Sequence, residues 1–522
     1  MNLSATLVSN WPKLAWVGNF AEGSSDVQVL CGPMVEVRDN WCVEAVWAGN
    51  FAEGDFDRTD LIFGSGIRIR DGKVVFVSSG TVFDRLWRTS TGTDHYVSNS
   101  LPAMLATAGL SLRDDYLDYS RDIRSISKGL DNRIAAIPLQ SGEVVATYFN
   151  NLVYDGTTLR EQPKPDPAPA FRTYDDYYQY LVRTAEALGR NLSEPTRKHR
   201  VVPLSGISSG YDSCAAAVIS RHAGCNQIVT IKDPTSFWRG SDSGAPVAKH
   251  LGMACHEYPR KAREYPLEPS MWAAAGRAGI LSWALFDYPE PLCLFFTGWH
   301  GEKMWDRVSH DHVDPFIRRD PGALDFCEYR LIKGVFQCPV PFWAARHNQE
   351  TRAITLSQEM APWYTNKDYD KPIARRIIEE AGVPGNLFGT LKKNTSHEEP
   401  FRWPYSPDAH ASFAEYLRKR GMRAPSAGMV RMLRIANTAD TLVHRNVLAK
   451  VGLRRYNWPW RRVQASSFVF HWANVTLMDM YRKGLAKNAS ATVGLGDIIA
   501  GDPPDTPVIQ HSRLLRMLGS AI

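Results

Sequence analysis

The sequence predicts an α/β protein in which a β-rich domain is followed by a larger domain of alternating strands and helices. Before residue 160 the apolar runs are short, alternating and β-branched, as in "GIRIRDG", "KVVFVSS" and "EVVATYF", with "DG" and "SG" turn signals. After residue 172, runs with helical spacing such as "DDYYQYLVRTAEALGRNL" alternate with strand-like runs. Between them, the connector "REQPKPDPAPAF" at 160–171 carries repeated prolines, which exclude a helix interior. We therefore predict domains at 1–165 and 172–522.

The amino-acid composition limits the classes of function that this protein can have. The chain has 522 residues, of which 44% are hydrophobic, enough for more than one core. The 61 Lys and Arg against 55 Asp and Glu give a net charge of +6 without a block of like charge, so nucleic acid is not implied. The eight cysteines stand singly, which suggests neither zinc nor a disulfide framework and favours a cytoplasmic location. We expect neither export nor a membrane span.

One hexapeptide, GNFAEG, occurs twice, at 18–23 and at 49–54. It is compatible with two similar hairpin turns or with a small duplication, and it does not recur as a solenoid unit would. We assign it no function.

The stretch "VVPLSGISSGYDSCAAAVISRHAGC" at 201–225 breaks an apolar run with Ser, Gly and Asp. Its first part predicts a strand, and "SCAAAVISRHAG" has the apolar stripe of a helix closed by a glycine. A Ser/Gly hinge between them presents backbone N–H groups at the positive end of the helix, as phosphate-binding loops do. Asp212 fits an anion site only beside a cation, for which Mg²⁺ is the natural candidate. The alternative is an ordinary strand-to-helix turn with a serine cap.

The segment Ser208-Ser209-Gly210-Tyr211-Asp212-Ser213 resembles the SGGxDS pyrophosphate loop of the N-type ATP pyrophosphatases, the PP-loop enzymes. Three further landmarks are similar to the asparagine-synthetase-like branch of that family and follow in the same order. They are "QIVTIKD" with "SDSGAPVAKHLGMACHEYP", then "PLCLFFTGWHGEKMW", then the lysines of "NLFGTLKKN". The resemblance covers roughly residues 170 to 400.

The resemblance implies a degenerate, Ntn-type glutaminase-like domain at 1–165 and a Rossmann-like PP-loop synthetase domain at 172–522, of the adenine nucleotide alpha hydrolase-like class. From about residue 407 on, segments such as "DAHASFAEYLRKRG" predict a helical lobe. The implied activity is that of an ATP-dependent ligase, which adenylates a small-molecule carboxylate, releases pyrophosphate and transfers the acyl group to ammonia or an amine. No nucleic acid or membrane is expected as a partner, and the oligomeric state stays open.

The resemblance also implies roles for individual residues. Contacts to ATP are expected from Ser208, Ser209, Gly210, Tyr211, Asp212, Ser213, Thr230, Thr297 and Gly298. Asp212 and Glu302 are expected to hold Mg²⁺, Glu302 being one methylene longer than the family's aspartate. Lys392, or Lys393 if the register is shifted by one, is expected to neutralise the leaving pyrophosphate.

One departure from the family concerns the nitrogen donor. Glutamine-dependent asparagine synthetases carry a nucleophilic cysteine as their second residue, whereas this chain begins Met1-Asn2; β-lactam synthetases also lack that nucleophile. Cys31 in "LCGP" could replace it only after cleavage behind Leu30, and we expect a buried structural cysteine there. Glutamine is therefore not the expected nitrogen donor.

A second departure concerns acid/base chemistry. Where the family has a residue that transfers protons, this sequence has Trp299, which cannot do so at neutral pH. The adjacent His300 is then either a catalytic base or a histidine that shapes the loop.

Three further sets of residues allow both a functional and a structural interpretation. One set could ligate a metal or form a solvated turn, and consists of His310, Asp311, His312 and Asp314. A second could clamp phosphate or pair with acidic neighbours on its own helix, and consists of Arg375 and Arg376. A third could line an acceptor pocket or pack in the core, and consists of Trp343, Trp363 and Tyr364.

Two other function classes stay open at this point. A PP-loop enzyme could adenylate a carbonyl oxygen of a nucleobase or amide and replace it by nitrogen or sulfur; the sulfur version would need an exposed cysteine of low pKa. A catalytically inactive relative could act as a binding protein. Release of pyrophosphate from ATP separates the inactive class from the other two.

Overall fold

The protein, described by a computed structural model, is a mixed α/β structure with three β-sheets. The structure describes residues 1–233, 241–308, 314–318, 322–365, 367–389, 401–446 and 464–492. Two sheets come from residues before 163, and the third comes from residues after 200. In the described chain, no helix is long and apolar enough to cross a bilayer.

The first two sheets are almost entirely antiparallel. Their strands are β1 Asn2–Leu7, β2 Trp16–Ala21, β3 Asp26–Cys31, β4 Glu36–Arg38, β5 Trp41–Trp47, β6 Ile62–Arg70, β7 Lys73–Val77, β8 Leu86–Thr91, β9 Asp94–Ser98, β10 Ala136–Pro138, β11 Glu143–Thr147, β12 Asn151–Tyr154 and β13 Leu159–Gln162. One sheet has the order β1-β3-β2-β9-β8-β11-β10, with β1 parallel to β3, and the other has the order β13-β12-β7-β6-β5-β4. The strands predicted from the three quoted runs are confirmed as β6, β7 and β11.

The two sheets pack face to face through aromatic side chains. Phe20 on β2 lies 5.7 Å from the ring of Phe76 on β7 and 4.4 Å from the ring of Tyr154 on β12. All three side chains are buried. Alternating strands bury one face each, so a second sheet is the natural cover for the first.

The two copies of GNFAEG differ in structure. In the first copy, residues 18–21 belong to β2, and the chain turns at Gly23. In the second copy, β5 ends at Trp47 and residues 49–54 form turns. The interpretation as two similar hairpin turns is therefore wrong, because the surrounding chain decides which conformation the hexapeptide takes.

The third sheet is parallel throughout. Its strands are β14 Val201–Ile207, β15 Gln227–Ile231, β16 Ala254–Tyr258, β17 Leu292–Thr297 and β18 Val335–Pro339. The spatial order is β16-β15-β14-β17-β18, so the chain builds outward from β14 to one side and then returns to build the other side. Strands β17 and β18 are buried along their whole length, as strands covered on both faces are. The strand order reverses between β14 and β17, which opens a crevice at their carboxyl ends.

Helices surround and connect the sheets. They are α1 Leu101–Ala108, α2 Tyr119–Ile123, α3 Tyr174–Leu192, α4 Tyr211–Ser220, α5 Ala245–His250, α6 Glu268–Ala275, α7 Gly301–Met304, α8 Cys327–Lys333, α9 Asn348–Leu356, α10 Pro372–Glu380, α11 Pro407–Lys419, α12 Ala427–Asn446 and α13 Val469–Thr492. Helix α3 confirms the helix predicted after the connector, and it begins with a capping box between Thr173 and Asp176.

The helices predicted for the end of the chain are confirmed as α11 and α13, but α13 is not confined to a C-terminal lobe. The Trp11 indole N–H donates to the Tyr481 carbonyl at 3.1 Å, and the Asn474 amide donates to the Ala273 carbonyl on α6 at 3.1 Å. Helix α13 therefore joins the beginning of the chain to the region of the parallel sheet.

The connector contains no helix, as its prolines predict. Its first residues complete β13, and residues 163–172 have no regular structure. Arg346 donates to the Pro165 carbonyl at 2.9 Å, and the His347 ring lies 3.2 Å from the Asp166 carboxylate. The predicted domain boundary at this place stays a prediction.

Candidate functional site

The candidate site lies at the carboxyl ends of β14 and β17, where the strand order of the parallel sheet reverses. The 208–213 loop follows β14 and leads into α4. The 298–302 loop follows β17 and leads into α7. In open α/β sheets, ligands bind in the crevice at this reversal point. The predicted strand, hinge and helix around Asp212 are all confirmed.

The 208–213 loop is held by its own serines. The Ser208 N–H donates to the Ser213 hydroxyl at 3.0 Å, and the two hydroxyl oxygens lie 2.8 Å apart. The Gly210 N–H donates to the Ser208 hydroxyl at 3.2 Å. Helix α4 has Gly210 at its N-cap with no side-chain cap. The serine-cap alternative for α4 is therefore wrong, and the serines instead fix the shape of the loop.

Ser209 is engaged on the other side of the loop. Its N–H donates to the Asp242 carbonyl at 2.9 Å, and its hydroxyl donates to the Asp242 carboxylate at 2.7 Å. The Gly389 N–H donates to the Ser209 carbonyl at 2.8 Å. A phosphate that contacts the Ser209 hydroxyl would have to compete with the carboxylate of Asp242, which the sequence did not suggest.

Asp212 pairs with a lysine that sequence reasoning missed. The Lys371 ammonium donates to the Asp212 carboxylate at 2.5 Å. The Lys371 side chain is only 1% exposed, whereas Asp212 keeps 21% exposure. Lys371 stands at the N-cap of α10, directly before a proline. A cation is unfavourable at the positive end of a helix, and that misplacement in "DYDKPIARR" is the signal that could have revealed a function for Lys371.

Two glycines bring the 298–302 loop against Asp212. A Cβ atom on Gly298 would lie 2.3 Å from the Asp212 carbonyl carbon, and one on Gly301 would lie 2.2 Å from the Asp212 carboxyl carbon. Such distances exclude any larger residue at either position. The next residue, Glu302, is therefore held beside the first turn of α4.

Electrostatics link Glu302 to the same cluster. Burial pushes the pKa of Glu302 upward, but the neighbouring His300, then Lys371, a backbone hydrogen bond and Arg318 together more than compensate and lower it. Glu302 is therefore ionised at neutral pH. Asp212 and Lys371 form an ion pair at the crevice, and Glu302 directly follows Gly301, which packs on Asp212; we call these three residues the Lys371 cluster.

His300 lies in the 298–302 loop but turns into the interior. Its backbone has a φ of +75°, and its side chain is 3% exposed. The ring nitrogen Nε2 lies 2.8 Å from the Pro315 carbonyl, which requires a proton on that nitrogen, and the ring packs 4.9 Å from Phe342. Burial lowers the pKa of His300 to about 4. This geometry favours the loop-shaping alternative over the catalytic base.

Two further predicted contact residues lie on the strands below the site. Thr230 on β15 is buried, and its hydroxyl accepts the Gly244 N–H at 3.0 Å. Thr297, the last residue of β17, is also buried and pairs with Pro339 on β18. Their contacts to ATP stay predictions.

Several predicted residues lie outside the described residues. These are Lys392, Lys393, His310, Asp311 and His312. Asp314 is described, and its carboxylate accepts the Phe316 N–H at 2.7 Å.

The two arginines of α10 make ion pairs, as their structural interpretation predicts. Arg375 pairs with Glu379 at 2.8 Å, and Arg376 pairs with Glu380 at 2.7 Å. Arg376 also lies 4.4 Å above the Trp363 ring.

The other two residues of the aromatic set also have packing roles. Trp343 is buried against Phe63 and Phe296, and the Tyr364 hydroxyl donates to the Ser357 carbonyl at 3.0 Å. With Trp363 on Arg376, the predicted alternative of a shared acceptor pocket for Trp343, Trp363 and Tyr364 is not supported.

All eight cysteines lie within the described residues and carry free thiols. Seven are buried, and Cys255 is half-buried. Burial raises the pKa of every one of them, to about 11 for Cys31 and Cys255. Cys31 ends β3 in the interior, as expected of a structural cysteine. None of these thiols is activated as a nucleophile.

Comparison with known proteins does not supply a family. No protein-family model matches the chain, and no curated protein sequence is significantly similar to it.

Proposed function

We propose that this chain is an ATP-dependent carbon–nitrogen ligase of the asparagine-synthetase-like PP-loop type. It adenylates a substrate carboxylate, releases pyrophosphate, and transfers the acyl group to ammonia or an amine. In this proposal residues 1–165 are a degenerate Ntn-type glutaminase-like domain, and residues 172–522 are a Rossmann-like synthetase domain. The observation that carries it is the Lys371 cluster beside the 208–213 loop, at the reversal point of a parallel sheet.

The charges of the cluster suit a polyphosphate. A loop of backbone N–H groups and hydroxyls supplies neutral donors, which by themselves leave much of the charge of pyrophosphate uncompensated. The buried Lys371 ammonium adds positive charge at the first turn of α4. Its partner Asp212 is 21% exposed, so the ion pair reaches the surface of the crevice through the carboxylate.

The two carboxylates fit a magnesium ion that arrives with ATP. Mg²⁺ typically binds through one or two carboxylates together with phosphate oxygens, and Asp212 and Glu302 are oxygen donors of that kind. Among the described residues, no group of three or more His, Cys, Asp or Glu side chains could hold a metal alone. When bound, Mg²⁺ would offset the negative charge of the phosphates.

The proposed chemistry proceeds in two displacements. A carboxylate oxygen of the substrate attacks the α-phosphorus of ATP, and the bond from that phosphorus to the bridging oxygen breaks, giving an acyl adenylate and pyrophosphate. An amine nitrogen then attacks the acyl carbon, loses a proton, and AMP leaves. Lys371 stabilises the charge that develops on the departing pyrophosphate, together with Lys392 or Lys393 if the family resemblance holds.

The nucleotide products test the proposal. Purified protein is incubated with ATP, Mg²⁺, ammonium and a mixture of carboxylic acids, and the nucleotides are separated by chromatography. AMP and pyrophosphate in equal amounts are expected. ADP as the main product contradicts the proposal, and the absence of any hydrolysis across a broad acid panel, with ATP bound, favours an inactive binding protein.

The buried cysteine thiols argue against glutamine or a sulfur carrier as the second substrate. Glutamine hydrolysis and persulfide transfer both need a thiolate, and every cysteine of the chain is at least half-buried with a raised pKa. We therefore expect ammonia or an amine, rather than glutamine or a sulfur carrier, as the second substrate. Substitution of a carbonyl oxygen by nitrogen would give the same AMP but a different acyl product, which mass spectrometry distinguishes.

A further inference from the structure

Three aromatic rings form a wall beside the Lys371 cluster. Trp299 directly follows Gly298, the residue that packs on the backbone of Asp212. The Trp299 ring stacks on Trp283 with centroids 5.0 Å apart and planes at 27°, and it meets Phe83 edge-on at 5.2 Å. Phe83 is buried, while both tryptophans keep partial exposure. The aromatic wall consists of Phe83, Trp283 and Trp299. Its Phe83 side is buried, and its two tryptophans are partly exposed.

The aromatic wall packs against buried aromatic side chains. Trp283 packs edge-on against Phe295 of β17 at 5.1 Å and against Phe326 at 5.8 Å. Phe83 packs against Phe342 at 6.0 Å. Because these neighbours are themselves buried, the wall is formed before any ligand arrives, and stacking on it requires little reordering.

Positive charge lies at the aromatic wall, beside Phe83. The Arg318 guanidinium carbon is 4.6 Å from the centre of the Phe83 ring, and its Nη2 donates to the Gly322 carbonyl at 2.5 Å. A ligand with a flat ring and a carboxylate matches this arrangement, in which aromatic rings lie beside a positive charge.

The position of the aromatic wall indicates which side of the crevice would bind the acid and which would bind the nucleotide. Sheets with this strand order bind two different groups on the two sides of the reversal point. Trp299 follows β17, so the wall is on the side of β17 and β18, and the side of β15 and β16 remains for the adenosine. Phe83 comes from the first 165 residues, which places the wall where the antiparallel sheets meet the parallel sheet.

We infer that the carboxylate substrate is an aromatic acid whose ring stacks on Trp299 and whose carboxylate is drawn toward Arg318 and Lys371. The inference rests on the proposed function, since it names the substrate class of the same site. It also explains why a tryptophan stands at a position for which the family resemblance implies a proton-transferring residue: in this chain the position recognises substrate.

Exchange of labelled pyrophosphate into ATP tests the inference. Phenylacetate and 3-phenylpropanoate are compared with cyclohexylacetate and hexanoate, which carry the same charge without an aromatic ring. We expect exchange with the aromatic acids, and in Trp299→Leu a rise of about tenfold in KM for them, since a lost ring stack and its burial are worth about that factor. The KM for ATP should stay unchanged, and Trp299→Phe should lie between the two. Trp363→Leu is the matched control, because Trp363 is also half-buried but packs on Arg376.

A binding measurement without ATP separates this inference from the proposed function. Saturation-transfer NMR reports whether the phenylacetate ring contacts the wild-type protein and loses that contact in Trp299→Leu. Binding that depends on Trp299, with no exchange for any acid, supports the aromatic subsite and contradicts adenylation. Equal exchange with the aliphatic acids would overturn the inference that the substrate is an aromatic acid. A Trp299→Leu variant whose KM rises for ATP instead would overturn it too. Absence of both binding and exchange overturns the inference together with the proposed function.

Discussion

Two clusters of charged side chains in this molecule each combine carboxylates with one cation, and they differ in how far those groups are exposed to solvent. In the Arg330 cluster, which consists of Arg330, Glu44 and Asp84, the guanidinium donates to Glu44 at 2.8 and 3.1 Å and to Asp84 at 2.8 Å. Glu44 also accepts from the Ser65 hydroxyl at 2.6 Å and from the Asn99 amide at 3.1 Å. No side chain of the Arg330 cluster is more than 4% exposed.

The Lys371 cluster is more exposed to solvent. Among the described side chains, the Lys371 ammonium donates to Asp212 alone, and Asp212 is 21% exposed. An ammonium is a point charge with three donors, whereas a guanidinium fixes its partners in one plane. The comparison teaches that a fully buried charge cluster can join the antiparallel sheets to the region of the parallel sheet, whereas a cluster with a partly exposed carboxylate at a crevice can still meet a ligand.

The largest expected effect is the loss of stability in Arg330→Leu. Removing the guanidinium leaves Glu44 and Asp84 buried without their cation, which should lower the free energy of unfolding by about 3–5 kcal/mol. Urea unfolding followed by circular dichroism measures it. Arg418→Leu is the control, because Arg418 makes an exposed ion pair with Glu415 and should change little. Equal effects in the two variants would show that the Arg330 cluster does not hold the sheets together.

The next effect concerns turnover rather than stability. Lys371→Ala should reduce the rate of AMP formation by about 10²-fold, the scale seen when one preorganised transition-state donor is removed. Its free energy of unfolding should change less than that of Arg330→Leu, because Asp212 can still reach water. Lys333→Ala, which removes a lysine paired with the exposed Glu290 at 3.0 Å, is the control. A fully active Lys371→Ala protein would place the chemistry elsewhere.

A smaller and more specific effect is expected on magnesium dependence. Asp212→Asn and Glu302→Gln each remove a charged oxygen ligand, so the Mg²⁺ concentration for half-maximal rate should rise by about tenfold or more. Titration of AMP formation with Mg²⁺ measures it. Asp242→Asn is the comparison variant, since its carboxylate binds the Ser209 hydroxyl and should leave the magnesium midpoint unchanged. If the magnesium midpoint shifted in Asp242→Asn alone, the metal would have to bind on the other side of the 208–213 loop.

Local structure around the site could be predicted because its causes are local. The apolar run of β14, the small residues of α4 and Gly224, which ends the 3-10 turn after α4, can all be recognised within 25 residues. The position of the 208–213 loop follows directly, because a strand, a tight turn and a helix are consecutive in the chain. The strands of the antiparallel sheets were predictable for the same reason.

Contacts between distant residues could not be predicted. Asp212 and Lys371 are 159 positions apart, and their pairing depends on how α10 packs against α4. The left-handed backbone of His300 turns its ring inward, although the sequence leaves base and loop roles open. The two GNFAEG copies show the same limit, since one sequence forms a strand in one place and turns in the other.

The smallest effect probes a carboxyl group at the border of the Arg330 cluster. Glu328 accepts from the Ser100 hydroxyl at 2.8 Å and from the Leu101 N–H at 3.2 Å, and burial raises its pKa to about 7. A carboxyl whose folded pKa is raised stabilises the fold fully below its unfolded pKa of about 4.3, and this contribution is lost as the pH rises through about 7. Glu328→Gln should therefore flatten part of the decline in unfolding free energy between about pH 4 and pH 7, measured by urea unfolding at each pH. The exposed Glu290→Gln serves as control. An unchanged slope in Glu328→Gln would mean that Glu328 is already ionised at pH 5, as a third anion of the Arg330 cluster, and that this cluster carries more negative charge than one guanidinium can saturate.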